Sequence, residues 1–225
     1  MPEQGGPPER VDIEVAVFDL LGTTVADNDV VQAAVKAAAG VRFDPVVFQR
    51  FRGASKREML AALVGDAHAD AAHAEFEVQL LRAAQRDVLQ PFPDAKQCLR
   101  DVRLRGIRIC LITGFSRTMR ETILSHLGWD TLVDLALSPE DAGRGRPAPD
   151  LILTAALRLR ANDVRAVAVV GDTTNDLLAA AAAGSGIRAA VLTGAHPEAA
   201  LRAVPHTHVL NRVSDLVPAI DQWTA

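Results

Sequence analysis

Val15-Ala16-Val17-Phe18-Asp19-Leu20-Leu21-Gly22-Thr23-Thr24 decides the fold. Its four leading apolar residues, two of them β-branched, read as a short strand buried on both faces. Asp19 closes the run, Gly22 allows a tight turn, and two threonine hydroxyls follow. A carboxylate fixed at the end of a buried strand has the form of a nucleophile. Two positions on, Leu21 offers nothing that ionises.

Downstream, the hydrophobic rhythm alternates. Helices are expected over Asp94–Arg105, Ser116–Leu127, Pro149–Arg160, Thr174–Ala183, His196–Val204 and Ser214–Trp223. Between them, strands are expected over Ile107–Ile112, Leu132–Leu137, Val164–Val170, Ile187–Leu192 and His208–Leu210. Such alternation builds βαβ units and a parallel sheet covered on both faces. The stretch from 27 to 92 reads differently. Val30–Ala39 is rich in Ala and Val, and Asp44 caps a helix that has Pro45 in its first turn. Ser55 with Glu58 spells a capping box for Ser55–Leu63. Asp66–Leu89 carries Phe76, Leu80, Leu81 and Ala84 at helical spacing, and Pro91-Phe92-Pro93 stops it. The fold class expected is therefore α/β, with an all-helical insertion after the first strand. The division is 1–12 as a flexible tail, 13–26 and 93–225 as the core, and 27–92 as the insertion.

Composition narrows the function. The 225 residues suit one α/β domain with an insertion, and 49% apolar content supports a sizeable core. A net charge of −4 disfavours a nucleic-acid partner. No apolar run approaches the ~18 residues of a membrane span. Residues 1–8 lack the basic and apolar parts of a signal peptide. Cys98 and Cys110 are expected as buried thiols of a cytoplasmic chain. A homodimer is left open. His206 and His208 share a strand face, but no third ligand accompanies them, and they read as a surface pair.

A sheet of this kind binds ligands beyond the carboxyl ends of its strands. There the chain places Asp19, Gly22 and Thr23, then Thr113 and Gly114, then Arg146, then Asp172 and Asp176. Two facing carboxylates, Asp19 and Asp172, are costly without a cation between them. Oxygen ligands suit Mg²⁺. Asp176, one helical turn past Asp172, would hold a metal-bound water or orient Arg146. Thr23, Thr113 and the backbone of the Gly22 and Gly114 turns can donate to phosphate oxygens, and Arg146 offers a fixed fork of donors. The set suits a phosphoryl group under attack by a carboxylate.

These segments resemble the four motifs of the haloacid dehalogenase (HAD) superfamily. They run in order: Asp19-Leu20-Leu21-Gly22-Thr23, Leu111-Ile112-Thr113-Gly114, Gly145-Arg146-Pro147 and Gly171-Asp172-Thr173-Thr174-Asn175-Asp176. The resemblance implies a Rossmann-like core, an aspartyl-phosphate at Asp19, and Mg²⁺ held by Asp19, the Leu21 carbonyl and Asp172. It also implies that the insertion is a substrate-selecting cap. Within the superfamily the chain is most similar to the phosphonatase branch, which implies a small phosphonate or phosphate substrate; a phosphomonoesterase or mutase-like enzyme without the usual acid/base aspartate, and a catalytically silent phospholigand-binding protein, stay open as alternatives. The doubled Thr23-Thr24, Arg146 in place of the usual Lys, and the loop Arg52-Gly53-Ala54-Ser55-Lys56 carry this likeness. The loop looks like the one bearing the Schiff-base lysine. In HAD phosphatases a second aspartate at the Leu21 position protonates the leaving alkoxide. Phosphonatases carry Ala there. They have Met and His where this chain has Arg52 and Met59. For Lys56, with Arg52 beside it, three roles stay open: imine former, substrate-binding cation, or solvated helix lysine.

Overall fold

The computed structural model describes residues 11–86 and 88–223, so most of the expected tail lies outside the described residues. The chain opens on β1 (Val15–Asp19) and then enters four helices: α1 (Val30–Ala39), α2 (Pro45–Arg50), α3 (Lys56–Val64) and α4 (Asp66–Ala84). There follow α5 (Ala95–Leu104), β2 (Arg108–Ile112), α6 (Arg117–Leu127), β3 (Leu135–Leu137), α7 (Pro139–Ala142) and α8 (Asp150–Arg158). The last part is β4 (Val167–Gly171), α9 (Thr174–Ala183), β5 (Ile187–Val191), α10 (Glu198–Arg202), β6 (His208–Leu210) and α11 (Leu216–Trp223). The strands form one sheet in the order β3-β2-β1-β4-β5-β6, every pairing parallel. This is the Rossmann-like α/β architecture expected.

Alternation along each strand sends side chains to opposite faces. Ala16 and Phe18 join Ile109, Leu111, Ala168 and Val170 in one apolar cluster, covered by α5, α6 and α11. Val15 and Val17 join Cys110, Ile112, Val167 and Val169 in another, covered by α8 and α9. All five residues of β1 are buried, which explains a run without polar alternation. Each such Val or Phe contributes about 1.5–3 kcal/mol by its burial. β1 sits where the chain's direction of winding reverses, between β2 and β4. A crevice opens there at the carboxyl ends.

The insertion contains no strand among the described residues; at its boundary, isolated bridges join Leu21 to Val25 and Val25 to Pro91. Its two connecting segments run side by side. Ala26 N–H donates to the Gln90 carbonyl at 2.8 Å, and Phe92 N–H to that of Thr24 at 3.0 Å. This pairing draws residues 88–90 out of the helix expected to reach Leu89, so α4 ends at Ala84. Insertion residues Phe48, Met59, Leu60, Phe76 and Leu80 share one continuous apolar cluster with Phe18. No helix among the described residues is long and apolar enough to cross a membrane.

Several local expectations needed correction. The Ser55–Glu58 capping box does not form. A different N–H of the first turn, that of Lys56, donates to the Gly114 carbonyl at 3.0 Å, so a tertiary contact satisfies it. Asp44 does cap α2, accepting from Val46 N–H at 2.7 Å. The third strand starts only at Leu135, after a turn from Trp129 to Leu132. Residues 164–166 form a 3-10 turn capped by Asp163, not strand. Cys98 and Cys110 are free and buried. Burial pushes the Cys98 thiol up to about 12 and raises that of Cys110 as well, so both are inert packing groups.

Candidate active site

Phe18 pairs with Val170 across β1 and β4, which places Asp19 and Asp172 at the same sheet edge. Thr24 fixes the turn after β1. Its hydroxyl donates to the carbonyls of Asp19 at 3.0 Å and of Leu20 at 2.9 Å. Gly22 sits at φ +92°, and a Cβ there would overlap the Asp172 carboxylate, so only glycine fits. The turn and β4 thus close on each other through one acid.

Asp172 is buried and held from two sides. Thr23 Oγ1 donates to its Oδ1 at 3.0 Å, and Ala195 N–H to its Oδ2 at 2.7 Å. Burial raises its proton affinity well above the carboxylate range, and the charges of Asp19 and Asp176 add to the rise. Asp19 is also lifted, to about 6. Burial is the main cause; Arg146 opposes it and Asp176 adds to it.

Arg146 reaches between two acids. Its Nη1 donates to Asp19 Oδ1 at 2.5 Å and also pairs with Asp176 Oδ1. The Arg146 Nε is buried without a hydrogen-bond partner. Asp176 accepts from Thr173 N–H at 3.0 Å and from Thr173 Oγ1 at 2.6 Å, closing a capping box at the start of α9. Of its two foreseen roles, the geometry supplies the orientation of Arg146.

A cavity of about 310 Å³ collects these groups. Asp19, Leu21, Gly22, Arg52, Lys56, Thr113, Gly114, Arg146 and Asp172 all line it. Two expected site residues do not. Thr23 is fully buried with its hydroxyl on Asp172, so it positions an acid where a phosphate contact was expected. Asp176 stands behind Arg146. Lys56 is buried, 6% exposed, which removes the solvated reading. Its Nζ donates to the Ala54 carbonyl at 3.2 Å and lies 5.4 Å from the Phe115 ring centre. Burial lowers its proton affinity to about 8; Arg146 pushes the same way and Asp19 opposes. Arg52 makes a 2.8 Å ion pair with Asp27 at the cavity wall.

Sequence reasoning missed part of the wall. Thr193, Gly194 and Ala195, after β5, border the cavity, and Thr193 Oγ1 donates to the Gly22 carbonyl at 2.7 Å. Their position past a strand's carboxyl end was the available signal. Asp27 and Phe92 line it from the insertion side and carried none; Met59, at the position of the phosphonatase His, lines it too. The histidine pair does not build a metal site. His206 meets the Val204 carbonyl and His208 meets Thr207. Among the described residues no group of three or more His, Cys, Asp or Glu has the arrangement of a metal site, so any cation at Asp19 and Asp172 would need a backbone oxygen as well.

The model of one protein family matches residues 13–184, and its description is a haloacid dehalogenase-like hydrolase. The chain belongs to this family. A bifunctional riboflavin kinase/FMN phosphatase of Arabidopsis thaliana is 26% identical over 175 residues, 75% of this chain and 46% of that protein. A phosphonoacetaldehyde hydrolase of Parabacteroides distasonis is 30% identical over 136 residues, 59% of this chain and 48% of that one. The chain thus spans about half the length of these curated relatives. The crystal structure of a phosphonoacetaldehyde hydrolase-like protein from Oleispira antarctica superposes with a TM-score of 0.83, covering 99% of this chain and 96% of that one. At 17% identity this is a likeness of fold. The HAD-like chain therefore has hydrolases, phosphatases among them, as its relatives.

Proposed function

We propose that this chain is a Mg²⁺-dependent hydrolase of a small phosphonate or phosphate, phosphonatase-like, working through an aspartyl-phosphate at Asp19. One observation carries the reading: a buried lysine, Lys56, shares a cavity with the Asp19–Arg146 pair. Arg146 holds one Asp19 oxygen, and its unpartnered Nε is a donor for a phosphoryl oxygen. Thr113 and the Gly114 turn face the same space.

The donor set fits a hard dication. Three buried acids, Asp19, Asp172 and Asp176, face two buried cations, Arg146 and Lys56. A phosphoryl dianion would deepen the excess of negative charge. Asp19, Asp172 and the Leu21 carbonyl would hold Mg²⁺, all oxygen donors. When bound, the ion would neutralise phosphoryl charge and keep Asp19 ionised.

The chain's own residues then divide the work. The Lys56 amine attacks the substrate's aldehyde carbon, and water leaves to give an imine. An Asp19 oxygen attacks phosphorus, the C–P bond breaks, and its electron pair moves into the protonated imine to give a neutral enamine. Water then hydrolyses the acyl phosphate, and protonation of the enamine at carbon followed by hydrolysis releases the aldehyde product and frees the Lys56 amine. Leu21 fits this route, because no alkoxide leaves and none needs protonation. The 30% identity to the phosphonoacetaldehyde hydrolase supports it. A second reading has Lys56 as a cation on a phosphomonoester. The FMN phosphatase relative, matched over 75% of this chain, favours it.

The test is a panel of phosphonoacetaldehyde, alkyl phosphates and aryl phosphates, each with and without Mg²⁺, combined with borohydride trapping. A covalent adduct at Lys56 and Mg²⁺-dependent release of phosphate support the first reading. Turnover of phosphates with no adduct supports the second. No turnover anywhere in the panel defeats both.

A further inference from the structure

The segment from Arg50 to Lys56 carries both cationic side chains of the insertion that line the cavity, and core residues grip its backbone. The last carbonyls of a short helix lack helical donors. At the end of α2, Arg50 and Arg52 carbonyls accept from Asn175 Nδ2, at 3.3 and 2.6 Å. Asn175 is buried in the first turn of α9, between Asp172 and Asp176. Beyond Arg52 the loop lies against the sheet edge with no room to spare. A Cβ on Gly53 would overlap Thr173 Oγ1, and one on Gly114 would overlap the Ala54 carbonyl. Lys56 N–H completes the contact on Gly114.

We infer that Asn175 is a positioning residue whose amide clasps the insertion onto the sheet edge and sets Arg52 and Lys56 over Asp19. This rests on the reading of the site proposed above. The side-chain chemistry is specific. Two carbonyls converge on one side chain, so that side chain must donate. An apolar residue would leave both carbonyls without a partner, and an aspartate would face them with like charge. A neutral hydrogen bond is also weak enough to exchange for water, so the clasp can release for substrate entry and product exit. Asn175 touches no reacting atom. It acts through the backbone that carries Arg52 and Lys56.

Hydrogen exchange on the full metal-free chain tests the clasp without relying on turnover. In Asn175→Ala, peptides spanning 50–57 should exchange about tenfold faster. In the isosteric Asn175→Asp they should exchange faster still. Peptides covering β1 and β4 should be unchanged in both variants. The kcat/KM of both variants on whichever panel substrate the wild type turns over should fall by about tenfold or more, Asn175→Asp the worse. Unchanged exchange at 50–57, or faster exchange over the whole sheet, would overturn the inference. Failure of the wild type on the panel would strike the proposed chemistry and leave the exchange result standing.

Discussion

Raising the pH from 7 to 9 should change the rate of imine trapping at Lys56 by a factor that reports its burial. The Lys56 ammonium is buried against the Phe115 ring and the Ala54 carbonyl, and burial brings its proton affinity to about 8 from an ordinary 10.5. Only the neutral amine attacks a carbonyl. With a midpoint of about 8, roughly a tenth of the lysine is neutral at pH 7 and roughly nine-tenths at pH 9. The initial rate of borohydride trapping with phosphonoacetaldehyde should therefore rise roughly tenfold and level off. An ordinary lysine would be neutral at only about 3 parts in 10,000 at pH 7, and its rate would rise roughly a hundredfold with no plateau. The assay is mass spectrometry of the Lys56 peptide after timed quenching. Lys56→Arg keeps a positive charge that does not titrate. It should lose all trapping and all turnover of the aldehyde. A hundredfold rise, or an adduct that survives in Lys56→Arg, refutes the argument. A substrate affinity that weakens as pH passes 8, with no adduct, shows that Lys56 acts as a cation.

Three further variants probe the acids and their surroundings. Asp19→Asn should lower turnover by roughly 10³-fold or more, with intact folding. Asp19 binds its proton more tightly in the folded chain than in the unfolded one, so metal-free stability falls as pH rises from about 4 to about 6. Asp19→Asn should remove that loss and raise stability at pH 7 by about 1–3 kcal/mol, with no gain at pH 4, as thermal melts in chelator will show. Leu21→Asp places an acid two residues past the nucleophile, at the cavity wall. It should speed alkyl phosphate hydrolysis by at least tenfold, within the 10²–10⁴-fold range of general acid catalysis at best, and steady-state rates on an alkyl phosphate decide it. Gly194→Ala would drive a Cβ into the Asp172 carboxylate. It should weaken Mg²⁺ binding by roughly 10–100-fold in a calorimetric titration.

The chemistry of the strand ends was legible because it is local. Asp19, Thr113 and Asp172 each follow an apolar run, and a parallel sheet brings such positions together without further information. The insertion's helices were legible for the same reason, through periodicity and the Asp44-Pro45 start. What failed was decided by partners distant in sequence. Ser55 had the spelling of a cap, but its side chain makes no capping hydrogen bond, and the start of α3 is held instead by Lys56 N–H on the distant Gly114 carbonyl. Thr23 looked like a phosphate donor, but Asp172, 149 residues away, claimed its hydroxyl. The Asn175 contacts exist only once the insertion lies on the sheet, and the Asp27–Arg52 pair joins positions 25 residues apart. Propensity carries no record of them.

The electrostatics explain why this arrangement serves a site and not the stability of the fold. A buried ion pair roughly balances its desolvation cost when its charges match and its hydrogen bonds are complete. Here they do not match. Arg146 serves both Asp19 and Asp176, while Asp172 is left with neutral donors, Thr23 and Ala195 N–H. Burial pushes both Asp19 and Asp172 toward protonation, and the charge of the neighbouring acids adds to it. Gly22 and Gly194 press backbone against Asp172 at positions where any side chain would collide with it. A fold selected for stability alone would have an amide or an apolar residue at one of these acids. Retaining three acids leaves the ligand-free state as the costly one. Any cation that restores the balance must then stabilise the folded chain as it binds.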